Sequence, residues 1–495
     1  MHHLTIKNLH FKYRNSALPI FENLNLEFEQ GWSCLVGANG SGKSTLLKLI
    51  SKELSYEEGS IKGNDLTHYC VQTTEEIPEN LEAFMMTYTS KSFKIRDMLS
   101  IDDAWLYQWD TLSFGERKRM QIALAIFEEP DVLLIDEPTN HLDTKSKNIV
   151  LTALKAYKGI GILVSHDREL LDNLSQATII LRNKNTFLFK TPFSKAMDEY
   201  LTNMEFLEKT QSQQYGELKK LKKSIQTQHE KVSQSKKRMS KKDLHKNDKN
   251  SKTKIDLARF TGKDKNDGQA LSKLKSKQSK LISNSVTTDK VFELGIEFHD
   301  SSARNIFPIV LKKHSLALGT NKKLSYPTLS INQYEKIGII GENGAGKSSF
   351  LNHLLSTVDL KGAYLYIPQE ITQDESKKLF DDINNLPNDK KGEIYTIVRK
   401  LASDPIKLQD SLMPSPGEVR KLMIAQGLLE SPSLIILDEP TNHMDLDSIV
   451  SLESAFKEYN GTMLVISHDK TFLDSIVNVT WTFTKDSDNA YRIII

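Results

Sequence analysis

The chain has 495 residues, of which 38% are hydrophobic and 26% are charged, and its formal net charge is +2. This composition is typical of a soluble folded protein, and the length allows roughly two to four domains. No apolar run approaches the roughly 20 residues needed to cross a bilayer, and no secretory signal opens the sequence. Cys34 and Cys70 lie in apolar segments, so we expect two buried thiols and a reducing, cytoplasmic setting.

The first chemical motif is the segment Gly37-Ala-Asn-Gly-Ser-Gly-Lys-Ser-Thr45, which matches the phosphate-binding pattern G-x-x-x-x-G-K-[ST]. Short strand-like segments precede it, ending in Cys34-Leu-Val36, and an apolar run typical of a helix follows it. In that context backbone N–H groups and a helix N-terminus face the phosphates. Lys43 would then reach the β- and γ-phosphates, and the Ser44 hydroxyl would be placed for Mg²⁺.

A second motif follows an apolar run, Val132 to Ile135, that has the length and composition of a buried strand. Asp136 and Glu137 come directly after it, at the end of a strand where open α/β sheets place their chemistry. Upstream, Ser113 and Glu116 form a capping-box pattern that predicts the start of a helix. Further on, the run Gly161 to Val164 predicts a strand that leads to a histidine.

Each of these motifs occurs twice, at a nearly constant spacing. Ser113 and Ser415, Asp136 and Asp438, and His166 and His468 are each 302 residues apart. A lone acidic turn after a strand could be a purely structural feature, but such an ordered repeat could not. The chain is therefore predicted to contain two copies of one catalytic module.

The segment between the copies has a different composition. Residues 201–290 contain 23 Lys and Arg against 10 Asp and Glu, a net charge of +13, which leaves −11 for the rest of the chain. Leucines at helical spacing predict two long amphipathic helices folded as a hairpin with a basic turn around residues 236–250. A disordered linker is the alternative. The concentrated positive charge indicates a polyanionic partner.

Taken together, the phosphate loop, Gln72, L-S-x-G-E, the paired acids and Ser-His-Asp resemble an ATP-binding cassette ATPase domain. The second copy repeats them at Gly341–Ser349, Gln369, Ser415–Glu418, Asp438-Glu439 and Ser467–Asp469. Two tandem cassettes with E-P-T-N-H-L-D resemble an ABC-F protein. The expected fold is α/β, with two P-loop NTPase cassettes at 1–198 and 291–495 joined by a long α-helical hairpin linker at 199–290.

The resemblance implies two composite ATP sites, each combining the Walker motifs of one copy with the signature of the other. The first site would bind nucleotide through Tyr13, Gly37, Asn39, Gly40, Ser41, Gly42, Lys43, Ser44, Thr45, Gln72, Ser415, Gly417 and Glu418. The second would use Gly341, Asn343, Gly344, Ala345, Gly346, Lys347, Ser348, Ser349, Gln369, Ser113, Gly115 and Glu116. Mg²⁺ would be held near Ser44, Gln72 and Asp136, and near Ser348, Gln369 and Asp438. The catalytic residues would be Glu137, His166, Glu439 and His468.

Two departures distinguish the second copy. Pro414 stands where the family usually has Leu before the signature serine, and no aromatic residue corresponds to Tyr13, because the chain reads Leu316-Ala317-Leu318 there. We therefore expect a less regular signature and a weaker adenine contact in this copy. Since both glutamates are present, both sites are expected to hydrolyse ATP.

ABC-F proteins act on the ribosome, and the resemblance implies a ribosomal RNA partner near the tRNA sites and the peptidyl-transferase region, with no obligate protein subunit. Gln72 and Ser113 are 41 residues apart, against 46 in the second copy, which leaves no room for the arm of the housekeeping translation factor. The antibiotic-resistance subgroup is therefore favoured over the housekeeping factor. The ATPase of a membrane transporter would need no basic linker, an iron–sulfur recycling ATPase needs more cysteines, and an RNA-binding scaffold needs no phosphate-handling motifs.

Overall fold

A computed structural model describes residues 3–14, 16, 18–73, 75–140, 142–182, 185–238, 263–283, 296, 306–319, 322–360, 364–405, 408, 414–487 and 489–495. Contacts between residues divide the chain into two compact units. One unit comprises Met1–Ala196 and Phe292–Ile495, and the other comprises Met197–Val291. Both sets of ATPase motifs lie in the first unit.

The first cassette begins with antiparallel strands and continues as a parallel sheet. Its strands are β1 Leu4–Phe11, β2 Phe21–Phe28, β3 Gly31–Gly37, β4 Glu58–Lys62, β5 Thr67–Cys70, β6 Val132–Asp136, β7 Ile160–Val164, β8 Ala177–Arg182 and β9 Asn185–Phe189. Its helices are α1 Lys43–Ile50, α2 Leu81–Met85, α3 Ser90–Met98, α4 Phe114–Glu128, α5 Thr144–Ala156 and α6 Arg168–Leu174, with a 3₁₀ segment at Asp103–Thr111. Strands β2-β1-β4 form one sheet, and β5-β6-β7-β3-β8-β9 form the other.

The six-stranded sheet positions the chemistry because its central strands are buried on both faces. All five residues of β6 and of β7 are buried, as expected for parallel strands covered by helices. Leu134 and Ile162 pack in one core cluster with Leu46 and Leu47 of α1. The carboxyl ends of β3, β6 and β7 therefore meet at the edge where α1 begins.

The second cassette has a similar order of strands and helices, but its main sheet has additional strands at one edge. Its strands are β10 Ile309–Leu311, β11 His314–Leu318, β12 Lys322–Tyr326, β13 Leu329–Ile331, β14 Lys336–Gly341, β15 Tyr364–Ile367, β16 Leu434–Asp438, β17 Thr462–Ile466, β18 Val479–Ser487 and β19 Ala490–Ile494. Its helices are α9 Lys347–Thr357, α10 Gln373–Asn384, α11 Asn388–Lys400, α12 Pro416–Leu429, α13 Leu446–Glu458 and α14 Lys470–Ile476. Parallel pairing of β12 with β19 extends the main sheet to eight strands, β11-β12-β19-β18-β14-β17-β16-β15, and β10 pairs with β13.

The linker contains two helices, α7 Phe193–Arg238 and α8 Lys263–Ser283. At about 1.5 Å per residue, the 46 residues of α7 extend about 69 Å. The apolar faces predicted for these helices, here called the linker seam, are shielded from solvent: Leu221 is buried, and Leu207, Leu218, Ile225 and Leu274 are partly buried. The predicted basic turn, with Lys241, Lys242 and 244–250, lies outside the described residues, as do the side chains of 234–238.

These elements confirm the predicted fold class of two tandem α/β cassettes with a helical linker. Cys34 and Cys70 are both free and buried, as expected. Within the described ranges, no helix combines the length and the apolar character required to cross a membrane.

Candidate functional site

The two phosphate loops have the same geometry. Gly42 and Gly346 cap α1 and α9 with φ values of 97° and 90°, a left-handed conformation that favours glycine. The Lys43 ammonium donates to the carbonyl oxygen of Gly37 at 2.7 Å, and Lys347 donates to that of Gly341 at the same distance. Burial lowers the pKa of both lysines, although nearby acidic groups oppose the change. Each loop thus folds around a buried amine at the N-terminus of a helix, as phosphate binding requires.

The paired acids stand at the ends of β6 and β16, where they are at most 5% exposed. Glu137 and Glu439 have φ values of 46° and 50°, so both backbones are left-handed at a residue type that seldom adopts this conformation. The N–H of Glu137 donates to Val164 at 2.8 Å, and the N–H of Glu439 donates to Ile466 at 2.9 Å. The neighbouring strand therefore fixes both glutamates in the same strained position.

The backbone N–H of a histidine lies close to the carboxylate of each glutamate. The His166 N–H lies 3.4 Å from a Glu137 carboxylate oxygen, and the His468 N–H lies 3.3 Å from Glu439. Burial raises the pKa of Glu439 to about 7, with Lys347 opposing the change and Asp438 adding to it. Burial and the charge of Lys347 lower the pKa of His468 to about 3, so its imidazole is neutral near pH 7. A glutamate with a pKa near neutrality is suited to accept a proton from water.

Motifs from the two copies line one cavity of about 870 Å³. The first copy contributes its signature residues and Asp143, and the second contributes its phosphate loop, acids and histidine. Of the predicted residues of the second site, those lining this cavity are Ser113, Gly115, Glu116, Asn343, Gly344, Gly346, Lys347, Ser348, Ser349, Gln369, Asp438, Glu439 and His468. Gly341 and Ala345 complete the same loop behind this lining.

The phosphate loop of the first copy also meets the second copy. The N–H of Asn39 donates to Asp445 at 2.8 Å, and its side-chain amide donates to the carbonyl of His443 at 3.3 Å. A Cβ added at Gly417 would lie 2.4 Å from that same carbonyl oxygen. The second signature therefore lies next to the turn that contacts the first phosphate loop.

The two signature helices start alike in spite of Pro414. Ser113 caps α4 and Ser415 caps α12, each in a reciprocal capping box with a glutamate three residues on. Their φ and ψ angles are −63° and 157° at Ser113, and −64° and 155° at Ser415. Pro414 was expected to make the second signature less regular. For the geometry of the helix start, this expectation is wrong.

The remaining predicted residues occupy different settings. Tyr13 is 39% exposed and its hydroxyl is 3.1 Å from the Thr45 hydroxyl, so its ring stands beside the first phosphate loop. In the second copy Leu318 lies against Gly346, as Ile20 and Phe21 lie against Gly42 in the first copy. Ser44 and Ser41 lie in and before the first turn of α1, and Gln72 is exposed just after β5. Tyr69, near the same end of that strand, donates to the carboxylate of Asp136 at 3.2 Å.

Several residues outside the predicted set also build the sites. The buried Lys118 donates to the carbonyls of Val71 at 2.6 Å and Asp136 at 3.2 Å, which ties the glutamine loop to the acid-bearing strand. Arg420, 302 residues later, donates to the carbonyls of Gln369 at 2.6 Å and Glu439 at 3.0 Å. The constant spacing of the repeat was the signal that could have identified this pair. Asp143 and Asp445, the last residues of the two E-P-T-N-H-x-D segments, contact the opposite phosphate loops.

The family model described as ABC transporter matches residues 21–140 and 324–442. The chain is 29% identical to the ribosome protection protein VmlR of Bacillus subtilis (strain 168), over 96% of this chain and 85% of that protein. It is 28% identical to the ATP-binding protein Uup of Buchnera aphidicola subsp. Schizaphis graminum (strain Sg), over 91% and 76% of the two chains. It is 25% identical to the erythromycin resistance ATP-binding protein MsrA of Staphylococcus epidermidis, over 98% and 99%.

Among solved structures, an archaeal ribosome recycling factor, aABCE1, in complex with the stalk protein aP1, has the same fold. The TM-score is 0.62 at 18% identity, covering 98% of this chain and 89% of that one. The repeated motifs, the fold and these matches over most of the chain agree, and they confirm the resemblance found in the sequence. The chain therefore contains two ATP-binding cassette ATPase domains in tandem, and its relatives at 25–29% identity include a ribosome protection protein and an erythromycin resistance ATP-binding protein.

Proposed function

We propose that this ATPase binds the ribosome in its ATP-bound state, inserts its linker, protects translation from ribosome-targeting antibiotics, and leaves when ATP is hydrolysed. The observation that carries the proposal is the near full-length similarity to a ribosome protection protein. The similarity to an erythromycin resistance protein supports the same role. The protein would act in the cytoplasm and without an obligate protein subunit.

The proposed chemistry is water attack on the γ-phosphate in two composite sites, with the cassettes at 1–198 and 291–495 and the linker at 199–290. Glu137 and Glu439 would orient or deprotonate the water, because each combines a buried carboxylate with a fixed backbone. His166 and His468 would contact the γ-phosphate. The phosphate-loop and signature residues named above would bind the nucleotide by neutralising its charge.

Mg²⁺ fits the acids at these sites. In the described part of the chain the buried Oδ1 of Asp438 has no hydrogen-bond partner, and the Ser348 hydroxyl hydrogen-bonds to the same carboxylate. Burial also raises the pKa of Asp438, because a charged carboxylate is less stable away from water. Asp438 and Ser348 would hold the ion in the second site, and Asp136 and Ser44 in the first, with Gln369 and Gln72 nearby. When bound, the ion would neutralise charge on the phosphate oxygens.

The linker would supply the effect on the ribosome. Its net charge of +13 over residues 201–290 favours contact with RNA phosphate, which weakens steeply as salt rises. Lys236, Lys237 and Arg238, at the end of α7, would make such contacts. Phosphate contacts position a protein without specifying sequence, so displacement of a drug would depend on residues near the turn, at 244–250.

Two other functions remain as candidates. A housekeeping translation factor would bind ribosomes without protecting them from antibiotics, and the similarity to Uup favours neither role. The ATPase component of a membrane transporter would bind a membrane partner, and it would have no use for the basic linker.

The decisive experiment replaces residues 240–255 with a short Gly-Ser turn while keeping α7 and α8. The proposal requires basal ATPase to stay within about twofold, while protection of translation against ribosome-targeting antibiotics is lost. Protection would be measured by translation in a cell-free extract over a panel of such drugs. If protection persists, the linker acts only as a spacer and the proposal is contradicted. Loss of ribosome co-sedimentation at raised salt, with ATPase unchanged, would test the phosphate contacts separately.

A further inference from the structure

Lys147 connects the two copies at a point that none of the motifs includes. It lies on α5, four residues after Asp143, and its side chain is 22% exposed. Its ammonium is 2.7 Å from a carboxylate oxygen of Asp167 and donates to the carbonyl of His468 at 3.3 Å. Asp167 follows the histidine of the first copy, whereas His468 is the histidine of the second. One amine therefore touches both histidine loops.

The Asp167 end of this link is an anchor. The other carboxylate oxygen of Asp167 accepts the N–H of Leu170 at 3.0 Å and so caps α6. The Asp167 N–H in turn donates to the Ser165 hydroxyl at 3.1 Å. Because both the carboxylate and the backbone N–H of Asp167 are hydrogen-bonded, Asp167 holds the Lys147 amine in place and directs it towards the second copy.

The His468 end is the part of the second site that handles the reaction. The carbonyl of His468 accepts from Lys147, while the N–H of the same residue points to Glu439 at 3.3 Å. Its ring nitrogen lies 3.0 Å from Asn343 and 3.3 Å from Lys347, both in the phosphate loop. A shift of the His468 carbonyl would therefore move the contacts that this one residue makes with Glu439 and with the phosphate loop.

The first site cannot have the same link. The residue 302 positions after Lys147 is Ile449, whose side chain has no amine to donate to the carbonyl of His166. Lys147 and Ile449 otherwise occupy equivalent turns of α5 and α13, three residues after each helix begins. The difference is therefore one of chemistry at a shared position.

We propose that Lys147 is a positioning residue of the second ATP site, supplied by the first cassette. Anchored by Asp167, it holds the His468 carbonyl so that the histidine and Glu439 face the γ-phosphate. This inference rests on the proposed composite sites. It predicts that hydrolysis in the second site depends on a contact that the first site does not use.

The test separates the two sites in the full-length protein. In a Glu137→Gln background, where only the second site turns over, Lys147→Ile should lower kcat about tenfold, the effect of losing one charge-assisted hydrogen bond. The KM for ATP should stay within about twofold. In a Glu439→Gln background, where only the first site turns over, the same change should alter kcat less than about twofold. Lys147→Arg should restore most of the loss, because a guanidinium can reach both oxygens.

Two matched variants control for a structural effect. Lys145→Ile removes an exposed lysine from the same helix and should change neither background. Asp167→Asn keeps a residue able to cap α6 but removes the charge, so it should reproduce part of the Lys147→Ile loss in the Glu137→Gln background. Equal losses in both backgrounds, or no loss in either, would overturn the inference. If neither glutamate substitution lowers turnover, the proposed catalytic acids are wrong instead.

Discussion

The first and second ATP sites share their motif geometry and differ in what surrounds it. In both, the phosphate-loop lysine donates to its own loop at 2.7 Å, and the glutamate has a left-handed backbone. Beside the first site, Arg168 pairs with Glu453 through two contacts of 3.1 and 2.7 Å, and Arg182 lies 3.5 Å from Asp447.

The equivalent positions beside the second site carry no such charge pairs. At these positions Lys470 and Leu151 replace Arg168 and Glu453, so the lysine has no acid opposite it. Thr484 and Lys145 replace Arg182 and Asp447, so this pair also has no acid. The second site has the Lys147 contact instead. The two copies therefore keep the same phosphate-loop lysines and paired acids, while the residues between the cassettes differ. Substitutions outside the motifs should act on one site at a time.

The largest expected effect comes from the residues that the sites share. Glu137→Gln with Glu439→Gln should reduce steady-state ATP turnover at least about 100-fold while nucleotide binding persists, because the lysines and aspartates remain. Either single substitution should abolish ATP turnover at its own site and leave turnover at the other site unchanged. Turnover would be measured by phosphate release and binding by equilibrium dialysis. A double variant within about tenfold of wild type would contradict the assignment.

A smaller effect is expected from the ion pair that only the first site has. Arg168→Ala should lower the free energy of unfolding by about 2 kcal/mol, because it leaves a partly buried carboxylate without its partner. Burial raises the pKa of Glu453 in spite of Arg168, so desolvation offsets part of the gain from the pair. Denaturant titration would measure the change, with a double-mutant cycle using Glu453→Gln.

Lys470→Ala at the equivalent exposed position is the control, and it should change the free energy of unfolding by less than about 0.5 kcal/mol. If both alanine variants cost the same, the cassette contacts are equivalent and the comparison between the sites fails.

The smallest effect concerns the aromatic ring that the second copy lacks. In a Glu439→Gln background, Tyr13→Ala should raise the KM of the first site for ATP by about threefold to tenfold, since stacking contributes about 1 kcal/mol. Tyr13→Phe keeps the ring and loses only the contact with Thr45, so it should stay within about twofold. An equal rise for both variants would assign the effect to the hydroxyl rather than to stacking.

Local patterns could be predicted from the sequence because their causes are local. The capping boxes at Ser113 and Ser415, the buried strand before Asp136 and the linker seam around Leu221 all follow from residue spacing. The contacts of Arg168 and Lys147 could not, because they require two segments about 300 residues apart to face each other. Nor does spacing indicate that β12 pairs with β19 and extends the second sheet.

The left-handed backbone at the two glutamates has a consequence for engineering. That conformation costs a residue with a side chain about 1 kcal/mol, a strain that glycine largely avoids. Stability alone would therefore favour glycine at Glu137 and at Glu439, and a selection for heat resistance without a selection for activity should drift towards it. With the catalytic roles proposed for these glutamates, the residue that turnover needs is not the residue that stability favours. A thermostable variant of this enzyme should be sought at other positions.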